Sequence, residues 1–192
     1  MNMIFWLMLS YLLLMPGCGF RPSTPLERAA AAGNLRELQT LLSAGVSQQE
    51  LDGALVAAAR EGGVASIQPL ITAGADPNVR AGVNGWTVLM HAIHKDQLGA
   101  VQELLAAGAD PRLRLANGQV ALDYAIAGVK EIDNGTAGKC QTETVQRLVK
   151  AAPDLVTPEL LDRTRAQQDK CPKLKELLTL ARQNLQAGLP AQ

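Results

Sequence analysis

Large rings, net charge and histidine are all scarce in this chain. It has two Phe, two Trp and two Tyr in 192 residues. Phe5, Trp6, Tyr11 and Phe20 crowd into the first twenty positions, so only Trp86 and Tyr124 serve the rest. A core with so few rings must be assembled from many small contacts between neighbouring units. Eighteen basic residues cancel eighteen acidic ones, and none of them precedes Arg21. Without a net positive field or a basic stripe, nucleic-acid binding lacks its electrostatic basis. No serine sits in a Gly-x-Ser-x-Gly elbow, and no glycine loop leads into a helix as phosphate-binding loops do. Asp123 and Glu131 read as ordinary solvated carboxylates. The expectation is therefore a chain without catalytic machinery and without a cofactor. What the sequence does have is alanine and leucine within a 47% hydrophobic composition. Such a composition favours small helices packed closely together.

Ile4 to Met15 is an apolar run interrupted only by Ser10. Twelve residues of helix span about 18 Å, short of the ~30 Å hydrocarbon core, so the length suits a signal-peptide core better than a membrane span. Leu14-Met15-Pro16-Gly17-Cys18 follows and resembles a bacterial lipobox. That resemblance implies a signal over 1–17 and lipidation of Cys18 as the first mature residue. Gly19 in place of Asp implies the outer membrane in preference to the inner one, hence a lipid-anchored periplasmic location. Two features depart from the pattern: Met1-Asn2-Met3 carries no Lys or Arg, and Pro16 stands where Ala or Ser is usual. An uncleaved anchor, or an ordinary secretory signal with Cys18 incidental, is the alternative. Pro16, Pro22 and Pro25, with Ser23 and Thr24, mark a short extended tether over 18–23.

Beyond the tether the chain repeats. Leu41-Leu42-Ser43-Ala44-Gly45, Leu70-Ile71-Thr72-Ala73-Gly74 and Leu104-Leu105-Ala106-Ala107-Gly108 share one signature. The last two continue as Ala75-Asp76-Pro77-Asn78 and Ala109-Asp110-Pro111-Arg112. A second signature precedes each: Leu26-x-x-Ala29, Leu55-x-x-Ala58 and Leu89-x-x-Ala92, with Leu122-x-x-Ala125 as a fourth. Leu26 to Leu41, Leu55 to Leu70 and Leu89 to Leu104 are each fifteen residues apart. Each unit reads as helix, tight turn, helix and Gly-capped loop, with Gly33-Asn34 and Gly62-Gly63 at the turns. Leu35, Leu38, Leu41 and Leu42 put an apolar stripe on one second helix.

These residues resemble the ankyrin repeat. Asn84-Gly85-Trp86-Thr87-Val88-Leu89-Met90-His91-Ala92 follows its Gly-x-Thr-Pro-Leu-His-x-Ala opening, with Val88 for Pro and Met90 for His. Thr24-Pro25-Leu26-Glu27-Arg28-Ala29 and Asn117-Gly118-Gln119-Val120-Ala121-Leu122 are further copies. The resemblance implies an all-α ankyrin-repeat solenoid over 24–188, of about five helix-turn-helix units. They fall near 24–47, 50–80, 84–114, 117–152 and 157–188, with imperfect units as caps at both ends.

Leu122 to Leu148 spans twenty-six residues, eleven more than the rule. A loop over 128–143, rich in Asp, Asn and Gly, is expected there, either as a grip for a partner or as a tolerated insertion. Cys140 and Cys171 fall near the starts of second helices in adjacent units. In an exported chain they would pair, a cross-link worth about 3 kcal/mol; two unpaired core thiols are the alternative. Metal binding by these thiols finds no support, since no histidine follows His94.

His91 and His94 lie three apart, a spacing that can seat two metal ligands, but no third ligand stands nearby in the sequence. In the ankyrin frame they are variable first-helix positions on the concave surface. Aligned units carry Arg28, Ala57, His91 and Tyr124 in one column and Ala31, Arg60, His94 and Ala127 in another. Glu61 and Lys95 come next, and Arg80, Trp86, Arg112 and Arg114 lie along a loop edge. The resemblance implies a protein partner, with Arg28, Arg60, Trp86, His91, His94, Lys95 and Tyr124 as its contacts and the chain acting as a monomer. By family resemblance this partner would be a periplasmic enzyme or toxin, neutralised or protected; the competing expectation is a structural envelope tether.

Overall fold

The computed structural model describes residues 23–127 and 140–188. The signal segment with its lipobox, Cys18, the tether as far as Pro22, and Glu131 lie outside these residues. Eleven α-helices are present among the described residues. They are α1 (Pro25–Ala31), α2 (Leu35–Ser43), α3 (Gln48–Glu61), α4 (Val64–Thr72), α5 (Val88–His94), α6 (Leu98–Ala106), α7 (Ala121–Ala127), α8 (Thr142–Ala151), α9 (Pro158–Arg163), α10 (Arg165–Lys170) and α11 (Pro172–Gln186).

Local chemistry sets where the first helices begin. Thr24 and Ser47 each accept a backbone N–H three residues on, while Glu27 and Glu50 reach back to the cap N–H. Both orphan donors at each helix start are thereby satisfied. Thr87 and Thr157 cap α5 and α9 in the simpler way, each accepting one backbone N–H. The turns between paired helices need a residue with positive φ. Gly33 (66°) and Gly62 (81°) supply it in the first two units, and Asp96 (54°) does so in the third. Aspartate is among the few residues with a side chain that tolerate this region.

Stacking arranges the helices in two layers. α1, α3, α5 and α7 pack against one another in series, and α2, α4, α6, α8 and α11 form the second row. The Leu-x-x-Ala signatures lie between the layers: Leu55, Leu122, Ala58, Ala92 and Ala125 are wholly buried. On the second row Leu38, Ile67, Val101 and Val145 fill the equivalent buried positions. Leu35 departs from the expected stripe and is exposed, since among the described residues no earlier unit stacks on the first outer helix. One continuous apolar core runs from Leu26 to Ala181.

Where the small residues fall, the backbones come close. A Cβ added to Gly63 would sit 2.0 Å from the Ala30 carbonyl oxygen, so α4 can start against the end of α1 only because this residue is glycine.

Three features differ from the sequence expectation. A two-residue antiparallel ladder pairs β1 (Arg80–Ala81) with β2 (Trp86–Thr87), where only a loop was expected. Residues 128–139 of the expected loop lie outside the described region, and Thr142 and Glu143 already form the first turn of α8. The fifth unit has three helices in place of two. α9 stops at Thr164, whose hydroxyl donates back to the Leu160 carbonyl (2.6 Å), while the buried Gln168 amide donates to the freed Leu161 carbonyl (2.9 Å). The Gln168 side chain thus takes over a carbonyl that a continuous helix would have satisfied, while the Leu160 carbonyl keeps its Thr164 N–H and gains the hydroxyl.

Candidate protein-binding surface

The short hairpin projects from the stack ahead of α5 and carries Trp86 at its base. From there the indole meets three other rings: His91 at 5.5 Å between centroids, His94 at 4.9 Å and Tyr124 at 5.0 Å. The His94 and Tyr124 contacts are edge-to-face, the arrangement that the ring quadrupoles favour. These are all the aromatic and imidazole rings among the described residues. Three elements from two adjacent units bring them together, and each ring stays half-buried.

Hydrogen bonds fix the ring orientations. His91 Nε2 donates to the Ala81 carbonyl of the hairpin at 3.2 Å, which places its proton on Nε2 when neutral. The Tyr124 hydroxyl donates to Gln119 Oε1 at 3.2 Å. Burial holds His91 below the ordinary imidazole pKa; the Ala81 bond opposes that shift, and the nearby Arg60 and His94 add to it. His94 is also lowered, first by burial and then by Lys95 and Arg60. Both rings are therefore neutral near pH 7, and the charges each feels are cationic.

The remaining expected contacts divide. Arg60 and Lys95 are exposed at the ends of α3 and α5, within electrostatic reach of the histidines. Arg28 is exposed on α1 and donates to the Ser23 carbonyl, away from the rings. Trp86 was expected on a loop edge with three arginines, but its indole lies among the rings of the first-helix row. Those arginines act as staples. Arg80 donates to the Gly85 and Arg114 carbonyls, joining its hairpin to the next unit's loop. Arg114 closes its own turn on the Gly118 carbonyl, and Arg112 grips Asp154 through Nε and Nη2.

Asp123 is not the solvated carboxylate that its sequence context suggested. Its carboxylate is 4% exposed, accepts the Val120 N–H, and forms two bonds to Arg163 at 2.7 and 2.9 Å. The partner lies forty residues on, so no local pattern announces it. Cys140 and Cys171 are joined by a disulfide with their Cα atoms 6.2 Å apart. Among the described residues, no three His, Cys, Asp or Glu side chains group as a metal site would require. A groove of about 400 Å³ between α8 and α11, floored by Val149, Leu177, Leu180 and Ala181, also escaped the sequence reading. Leu180 is exposed at its floor, a feature that only the folded chain shows.

A family model described as ankyrin repeats, three copies, matches residues 55–157, which is 103 of the 192 residues. No curated protein matches the chain significantly.

Proposed function

We propose, from the premise that the chain belongs to the ankyrin-repeat family, that it binds one protein partner through the ring cluster and does no chemistry itself. Membership marks it as a protein-interaction module; the choice of face rests on one observation. Trp86, His91, His94 and Tyr124, otherwise so scarce, converge on a half-buried patch beside two exposed cations. Trp, Tyr and Arg anchor interfaces because each buries a large area while keeping a polar group available. Arg60 and Lys95 flank the patch, and Arg28 lies further along the row as a separate contact. The module acts as a monomer and leaves nucleic acid alone, in keeping with its zero net charge.

The proposal extends to location. The apolar run over 4–15 and the Leu-Met-Pro-Gly-Cys motif support export and lipidation at Cys18, with the binding face in the periplasm. The Cys140–Cys171 disulfide supports it independently, because such bonds persist in oxidising compartments. There the module would act as an immunity or protective factor for a periplasmic enzyme or toxin.

A pull-down from envelope extract with the lipidated full chain tests both parts. One stoichiometric enzyme should be retained and then lost from the Tyr124→Ala, His91→Ala double variant. Recovery of only abundant envelope proteins at trace levels would favour an envelope tether. Mass spectrometry of the mature N-terminus reads the lipid directly, and Cys18→Ser should release the chain from the membrane fraction.

A further inference from the structure

Two cations set the electrostatic surroundings of the ring cluster. Arg60 and Lys95 make no side-chain ion pair among the described residues, although every arginine of the neighbouring loops is occupied. Glu61 and Asp96 follow them in sequence, yet neither contributes to the charge felt at His91 or His94. Among the described residues, the charges that shift the two imidazoles are cationic, and no carboxylate is among them. On the hairpin beside His91, Val83 is fully exposed, and a Cβ added at Gly82 would stand 3.8 Å from the His91 ring. Apolar edge, four rings and two uncommitted cations share one small area.

We propose that this cluster takes an acidic peptide segment of the partner protein, with a carboxylate set between Arg60 and Lys95 and an adjacent aromatic or large apolar side chain against Trp86, Tyr124 and Val83. This deepens the concave-face reading and rests on it. The cations supply charge-assisted hydrogen bonds, guanidinium being the better match to a carboxylate. The rings supply desolvated area that strengthens those bonds. A nucleic-acid strand would use the same two chemistries but needs a basic track several phosphates long. Two cations on a neutral chain do not provide that track, and this favours the peptide.

Panning a random phage-displayed dodecapeptide library on the full chain tests the assignment. Parallel pannings use Arg60→Glu plus Lys95→Glu and, separately, Tyr124→Ala, each variant first shown to melt like the parent. Arg60 and Lys95 are exposed, so their reversal should leave the fold intact. The expected result is enrichment of Asp or Glu next to an aromatic residue, with recovery reduced at least about tenfold on both variants. Peptides that are basic or uncharged, but still lost on Tyr124→Ala, overturn the acidic assignment and leave the concave face standing. Peptides recovered equally on Tyr124→Ala overturn both. Failure to enrich anything over the variants overturns the acidic assignment. So does a single-stranded oligonucleotide of about twenty residues that binds the parent and not the reversed variant.

Discussion

The first three units and the last two are held together by different means. Between α1, α3 and α4 the interface is alanine, glycine and leucine, with Ala30, Ala54, Leu55 and Ala58 wholly buried and Gly63 against backbone. Polar links there are few and include backbone N–H groups donating to single side-chain oxygens, with Asp52 accepting the Asp76 N–H and Asn78 accepting the Asp110 N–H. From α7 onward the ties change. Asp123 binds Arg163, Arg112 binds Asp154, and a disulfide joins the starts of α8 and α11. The fifth unit lacks the alanine pair, and its broken first helix offers less regular surface for stacking. Covalent and ionic links stand where repeat packing thins out. In a stack stabilised by nearest-neighbour interfaces, each weak interface needs its own remedy.

The largest break in this comparison should come from Gly63→Ala. No flexible side chain can yield, since the new methyl meets the Ala30 carbonyl, so a cost of about 3 kcal/mol is expected. Chemical denaturation would measure it, and hydrogen exchange should show α1 and α2 loosened first. A loss below about 1 kcal/mol would mean that the first units slide apart more readily than close packing allows.

Removing the disulfide with Cys140→Ser plus Cys171→Ser should cost about 3 kcal/mol, from the loop that the bond closes in the unfolded chain. Hydrogen exchange distinguishes the regions here as well. Protection should fall in α9 to α11 and hold in α3 to α6. A uniform loss would show that the array unfolds as one cooperative block.

Arg163→Met leaves Asp123 buried without its cation. Breaking a fully buried pair is strongly destabilising, but the Arg163 side chain is 44% exposed, so water screens the interaction and about 1–2 kcal/mol is expected. Arg112→Ala, at an exposed pair, should cost under about 0.5 kcal/mol and serves as its contrast. Equal effects from the two would remove the distinction between the ties.

The smallest effect concerns pH. The folded-state pKa of His91 lies below its ordinary value of 6.5, so the folded chain takes up a proton less readily than the unfolded one. Stability is then full above that value and declines as pH falls through it. Melting temperature should drop between pH 7.5 and 5.5 by slightly more in the parent than in His91→Gln, whose amide can still donate to the Ala81 carbonyl. The same protonation adds positive charge beside Arg60, so an acidic segment bound at the cluster should hold more tightly at the lower pH.

Much of the architecture was legible because its signals are local. The fifteen-residue interval, the Thr and Ser caps and the glycines at the turns act over a few residues of chain, and all are visible in the linear string. The all-α architecture of ankyrin repeats followed from them. The break between α9 and α10 was not legible, because Gln168 and Thr164 supply alternative hydrogen bonds that compete with helix continuation. The hairpin was missed because two-residue strands have no periodicity to detect. For the ring cluster, two adjacent columns of first-helix positions put His91 with Tyr124 and His94 beside them, while Trp86 was assigned to a separate edge.

By itself, then, the sequence determined a stack of paired helices with alanine-leucine seams, since each seam repeats a pattern readable within one unit. The tertiary structure decided everything that depends on which units touch and in what register. It alone united Trp86 with Tyr124 from the next unit, buried Asp123 against an arginine forty residues away, and tied three loop arginines to carbonyls and a carboxylate. The reason is one of range. Caps and periods are set by covalent neighbours, whereas ring clusters and ion pairs exist only once stacking has brought distant positions within a few ångströms.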